Sequence, residues 1–138
     1  MHKIIATLVL SATAASAFAI TAEDISANSW MPLVKEQSSK CELPATITFH
    51  KDGKISGEPG CNYLTGTYQL DADGKIDLSG MGMTRKLCAK EYMEQEENFL
   101  NLLSRTHYLQ KADKQLILLD ADKKEVGRLV PEKAKACD

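Results

Sequence analysis

Four cysteines, the histidines His50 and His107 and an aspartate-rich turn carry the side-chain types needed for metal, redox or acid–base chemistry in this 138-residue chain. Zinc would need cysteines or histidines in closely spaced pairs, but Cys41, Cys61, Cys88 and Cys137 lie far apart and form no Cys-x-x-Cys unit. Calcium is suggested by Asp71-Ala72-Asp73-Gly74-Lys75-Ile76-Asp77. An EF-hand loop needs Gly at its sixth position and Glu at its twelfth; counted from Asp71, these positions hold Ile76 and Gly82. His50 and His107 each fall on an expected strand with no surrounding catalytic motif, and no serine sits in a Gly-x-Ser-x-Gly setting. A glycosidase-like carboxylate pair is always available to a chain with 19 acids, so it carries little weight. Glu91, Glu94, Glu96 and Glu97 crowd one segment with no histidine nearby and read as the solvated face of a helix. The expectation is no catalytic residue, no metal and no cofactor.

The chain opens Met1-His2-Lys3, continues through the apolar run Ile4–Leu10, and reaches Ala15-Ser16-Ala17-Phe18-Ala19. A cationic start, a short apolar core and small-x-small residues predict a cleavable signal peptide over residues 1–19, cut after Ala19 or Ala17. No cysteine follows the apolar run to carry a lipid. The remaining protein, about 119 residues, has the size of one domain. It keeps 16 cationic and 19 acidic side chains, a formal charge of −3 that argues against nucleic-acid or anionic-membrane partners. No later apolar run reaches membrane-spanning length. All four cysteines lie in the exported part, so disulfides are expected in an oxidising compartment, the periplasm.

The elements that must position these residues are mostly strands. Residues 20–28 read as a polar lead-in with a helical turn capped by Asp24 or Ser26. Trp30–Val34 reads as a strand that Pro32 confines to an edge or a bulge. Ala45–His50 alternates with Ile47 and Phe49 inward, and the Asp52-Gly53 turn returns it through Lys54–Gly57. A second hairpin pairs Thr65–Leu70 with Lys75–Leu78 around Asp71–Gly74. From Ala89 to Arg105 the period becomes helical, with Tyr92, Phe99 and Leu103 on one stripe. Strands at 107–110, 115–119 and 126–130 follow, the last stopped by Pro131. The sum is an α+β fold: a strongly curled antiparallel sheet or open barrel of seven or eight short strands, with one amphipathic helix.

The stretch Gly57–Cys88 holds two of the four cysteines and six of the eight glycines. Gly60-Cys61-Asn62, then Gly66-x-Tyr68, then Met83-Thr84-Arg85 with Cys88 three residues beyond, closely resembles the META domain, the family of HslJ-type bacterial envelope proteins. Trp30-x-x-Leu33 and the Phe49–Gly57 hairpin add to the resemblance, which covers Trp30 to Val130. It implies a curled antiparallel sheet with a helix, and a role in envelope stress or resistance to toxic compounds. It brings no catalytic residues. Family members are often lipid-anchored, a feature this sequence lacks, and Cys41 and Cys137 fall outside the shared motif. Four cysteines allow three connectivities. The layout of the motif favours Cys61 with Cys88, leaving Cys41 with Cys137.

The leading expectation is thus a monomeric, non-catalytic periplasmic protein that binds an envelope protein or a small apolar ligand. The alternative is a secreted inhibitor of a protease or lysozyme, presenting Lys35–Leu43 as its epitope. An enzyme is the least favoured reading. A cavity between sheet and helix would point to a ligand, and a filled interior to recognition at the surface.

Overall fold

The structure, a computed structural model, describes residues 6–7, 19–34 and 44–132. Most of the expected leader, the loop 35–43 with Cys41, and the tail 133–138 with Cys137 lie outside the described residues. The expected Cys41–Cys137 bond and the Lys35–Leu43 epitope therefore lie outside them too.

Eight strands form one antiparallel sheet: β1 (Ser29–Pro32), β2 (Thr46–Phe49), β3 (Lys54–Glu58), β4 (Leu64–Leu70), β5 (Ile76–Met83), β6 (Tyr108–Ala112), β7 (Gln115–Leu119) and β8 (Glu125–Pro131). Helix α1 (Ala22–Ser26) precedes them, and α2 (Lys90–Ser104) stands between β5 and β6. The spatial order is β5-β4-β3-β2-β1-β8-β7-β6. Two meanders, β1 to β5 and β6 to β8, thus join where β1 pairs with β8. Helix α2 is the connection between the two outermost strands.

Those outermost strands touch. Lys75 forms an isolated antiparallel bridge with Tyr108, made by Ile76 N–H to the His107 carbonyl at 2.9 Å and Leu109 N–H to the Gly74 carbonyl at 2.8 Å. A sheet whose two edges meet has curled almost fully round. Contact stops after this one bridge, because the chain N-terminal to His107 is helix and cannot extend a ladder along β5. The sheet is consequently not closed into a barrel. Leu78 and Met81 of β5 remain half-buried against the core.

Alternation fixes the sheet's inner face. Ile47, Phe49, Ile55, Leu64, Tyr68, Ile76, Leu109, Leu116, Leu118 and Leu129 are all buried. Helix α2 closes the interior with Phe99 and Leu103, each contributing about 1.5–3 kcal/mol by burial. Leu102 meets β8 at Gly127, where a Cβ would stand 2.8 Å from its Cδ1.

Three expectations need correction. β1 is not an edge strand: it lies between β2 and β8. Pro32 is tolerated there because it is the last residue of the strand, and the next residue, Leu33, donates to the Arg128 carbonyl at 2.9 Å. Helix α1 is capped by Thr21, not by Asp24 or Ser26. Thr21 Oγ1 accepts from Asp24 N–H, and the Asp24 carboxylate accepts from Thr21 N–H, a reciprocal capping box. The flanking Ile20 and Ile25 are core residues, so this segment is no polar lead-in. Finally, β5 runs to Met83, well past Leu78. Its glycines favour close approach to the partner strand: Gly80 lies opposite Thr67, and Met81 opposite Gly66, where a Cβ would collide with the Gly80 carbonyl.

Candidate functional site

The motif residues converge at one corner, where the β3–β4 connection meets the segment entering α2. Gly60 makes the approach possible: a Cβ there would overlap the Tyr92 carbonyl and stand 2.8 Å from the Glu96 amide nitrogen. With the turn this close, Glu96 faces it from α2. Glu96 is only 5% exposed. Its Oε1 accepts from Asn62 N–H at 2.7 Å and Cys61 N–H at 3.3 Å, and its Oε2 accepts from Asn62 Nδ2 at 2.9 Å. A buried acid is tolerated only with such partners.

Asn62, itself buried, is the hub. Besides Glu96, its Nδ2 donates to the Lys86 carbonyl at 3.5 Å, and its Oδ1 accepts from Thr84 Oγ1 at 3.0 Å and from Lys86 N–H. Thr84 Oγ1 in turn accepts from Tyr63 N–H at 3.0 Å. Both amide donors and both acceptor positions of Asn62 are therefore occupied. Cys61 and Cys88 form a disulfide with S–S 2.02 Å and Cα–Cα 5.8 Å, joining the same turn to the residue two before α2.

The remaining motif residues lie elsewhere. Trp30 is buried in the core, and its Nε1 donates to the Ile25 carbonyl at 2.7 Å, fixing α1 to β1. Tyr68 packs edge-on to Phe49 with ring centroids 5.4 Å apart, while its hydroxyl donates to the His50 carbonyl. Burial, and secondarily the charge of Asp52, hold that hydroxyl above its ordinary pKa of 10.0. Gly66 serves the β4–β5 contact. Arg85 is exposed beside the corner.

The other chemistry-bearing residues are dispersed. His50 is exposed and pairs Nε2 with Ser56 Oγ at 2.8 Å; His107 is exposed and contributes backbone bonds to the seam between β5 and β6. In the aspartate-rich turn, Asp71 Oδ1 accepts from Asp73 and Lys75 N–H, each at 2.9 Å. The Ser79 hydroxyl, then its backbone N–H, lower the pKa of Asp77. These carboxylates cap their own turns. Among the described residues, no group of three or more His, Cys, Asp or Glu is placed to hold a metal ion.

The acidic cluster of α2 divides. Glu91, Glu94 and Glu97 face solvent as expected, but Glu96 does not. It precedes Phe99 by three residues and Leu103 by seven, whereas Tyr92, expected on the same inward stripe, is exposed at the corner. That spacing puts Glu96 on the buried stripe, a signal that the reading of the four acids as one solvated face passed over.

Around the polar corner lies an exposed apolar rim: Tyr63, Met83, Leu87 and Tyr92. Leu87 is 94% exposed. Lys86 places its ammonium 5.1 Å from the centre of the Tyr63 ring. Two surface clefts lie away from this corner. One, of about 300 Å³, sits at the seam between Ile20, Gly74, Tyr108 and Lys123; the other, of about 340 Å³, lies beside Arg105, His107 and Asp120. Neither is lined by Phe99 or Leu103, the buried residues of α2 that face the sheet.

Comparison with known proteins places this architecture. The fold is similar to an NMR structure of a protein from Burkholderia xenovorans, with TM-score 0.63 and 19% identity over 97% of this chain and 99% of that one. A second NMR structure gives TM-score 0.61 and 23% identity, covering 81% of this chain and 95% of the other. A crystal structure of a DUF4847 family protein from Bacteroides vulgatus gives TM-score 0.50 and 23% identity, covering 66% and 61%. At these identities the likeness is one of fold. No curated protein matches. The sequence matches the META domain over residues 24–133, a span that takes in the second half of α1, the whole sheet and the Glu96 corner; the chain belongs to the META domain family.

Proposed function

We propose that this META domain protein is exported to the periplasm and acts there without catalysis, recognising a partner through its surface during envelope stress or exposure to toxic compounds. The observation that carries this reading is the contrast at the α2 corner. Phe99 and Leu103 of α2 are buried against the sheet, while Tyr63, Met83, Leu87 and Tyr92 stand exposed on a scaffold fixed by a disulfide and a saturated polar network. Rigid presentation lowers the entropy lost on binding. Export rests on the leader composition, and cleavage after Ala19 leaves the core residue Ile20 at the head of the mature chain. No described helix is long and apolar enough to cross a membrane.

Fractionation of a bacterium expressing the protein, with N-terminal sequencing, tests the first half. Recovery in the periplasm beginning at Ile20 is the expected result; cytoplasmic retention with an intact leader overturns it. In-cell crosslinking tests the second half. Crosslinks from a photoreactive residue at position 63 should be more abundant than from position 69 of β4, and equal labelling would remove the corner as the recognition surface.

A further inference from the structure

We infer that the loop between β5 and α2 is a membrane-contact element: Leu87 enters the interfacial region of an anionic lipid surface while Arg85 and Lys86 bind its phosphate groups. This deepens the surface-recognition reading, and it rests on that reading, by naming the partner.

Three observations meet at this loop. The first is exposure. Leu87 is the most exposed large apolar side chain described, and Tyr63 and Met83 beside it are 52% and 38% exposed. The second is charge. The chain as a whole is acidic, at −2, yet Gly80–Lys90 contains Arg85, Lys86 and Lys90 and no carboxylate. Net charge therefore conceals a cationic segment, and the sequence-level argument against an anionic surface fails locally. Lys90 shares its charge with Glu94 on α2 at 3.7 Å, and Glu91 lies next to it. Arg85 and Lys86 form no ion pair among the described residues, and they bracket the apolar tip more closely.

The third observation is rigidity. The Cys61–Cys88 bond follows Leu87 directly, and Asn62 Oδ1 accepts the N–H of Lys86 directly before it. A leucine clamped on both sides cannot fold back to bury itself, so its exposure is built into the loop. The Tyr63 ring under the Lys86 ammonium completes an order suited to a bilayer. Leucine reaches the acyl boundary, tyrosine sits at headgroup depth, and long cationic side chains extend to phosphates. Few apolar residues enter, so the contact is weak and reversible, and it depends on anionic lipid.

The test is sedimentation of the protein, purified from the periplasm with the Cys61–Cys88 bond intact, with phosphatidylcholine vesicles and with vesicles of phosphatidylcholine mixed with phosphatidylglycerol. Binding should be confined to the anionic vesicles and fall as salt is raised. Leu87→Ser and the pair Arg85→Gln with Lys86→Gln should each weaken it at least about tenfold. Lys75→Gln with Lys124→Gln, on other parts of the surface, should leave it unchanged. All these side chains are exposed, so melting temperatures should match the parent and establish that folding is intact. Absence of binding to anionic vesicles, or equal binding by every variant, overturns the inference. If vesicles fail while the corner still crosslinks to an envelope protein, the recognition surface stands and only its lipid partner is wrong.

Discussion

The α2 corner and the β5–β6 seam hold opposite ends of the β4–β5 hairpin, by different means. At the corner the turn is bound by a disulfide and by a buried acid that accepts three N–H groups. At the seam the two sheet edges meet through two backbone hydrogen bonds, with Ile20 packed near Gly74. Helix α1, next along that side, adds an ion pair from Asp24 to Lys111 of β6 at 3.0 Å. The seam joins strand to strand, and backbone pairing satisfies its polar groups at no extra cost. The corner joins a turn to a helix, whose N–H groups have no ladder to enter. Side chains must supply the acceptors there, and a motif of unusual residues marks the place.

The largest break in this comparison is covalent. Replacing Cys61 and Cys88 together by Ser releases a loop closed across a separation of 27 residues, which the chain-entropy account values at about 3.5 kcal/mol. Thermal melting should fall by about 10 °C or more. Hydrogen exchange should rise first at Cys61–Tyr63 and in the first turns of α2, while the amides of Ile76 and Leu109 stay protected until global unfolding. Uniform loss of protection at both ends would mean that corner and seam open as one unit.

Glu96→Gln sharpens the contrast without removing volume. The carboxyl group is acceptor-only toward its three donors, and an amide has one oxygen. Either orientation of the new side chain sets its NH2 against a donor, the Asn62 amide in one and the turn's backbone N–H groups in the other. The expected loss is about 2 kcal/mol, read from urea unfolding. Glu94→Gln on the exposed face should change stability by under about 0.5 kcal/mol. Equal effects would show that the buried position carries no special energy.

Sheet and helix were legible because their periods are clean. Ile47 with Phe49, and Tyr68 with Leu70, alternate; Phe99 and Leu103 repeat at helical spacing. The motif identified the Cys61–Cys88 bond and Asn62, but not the partner of Asn62. Glu96 was grouped by chemistry with Glu91, Glu94 and Glu97, although its position on the stripe separates it from them. Type misled where spacing informed. Pro32 misled in the same way, because its missing N–H matters inside a ladder and not at the last residue of β1. The end of β5 was missed because Ser79-Gly80-Met81-Gly82 has poor strand propensity, and close backbone contact with β4 overrides it. The cationic loop was obscured by summing charge over the whole chain.

The smallest effect tests the far side of the comparison, where an ion pair does what a disulfide does at the corner. The hydrogen bond from Lys111, then that from the Thr21 backbone N–H, lower the Asp24 pKa below its ordinary 3.8. A lowered carboxyl pKa contributes stability that is present above pH 3.8 and is lost as pH falls through the folded-state value. Lys111→Met removes the cation and leaves Asp24 its capping role. Because Lys111 is 54% exposed, the cost at pH 7 should be under about 1 kcal/mol. Raising salt should narrow the gap between variant and parent, and so should lowering the pH, until the two coincide once Asp24 is protonated in both. A gap that persists unchanged into acid would locate the contribution in the packing of the lysine stem. Convergence would establish that the seam side is held by a charge pair that acid releases, whereas the disulfide at the corner is indifferent to protonation.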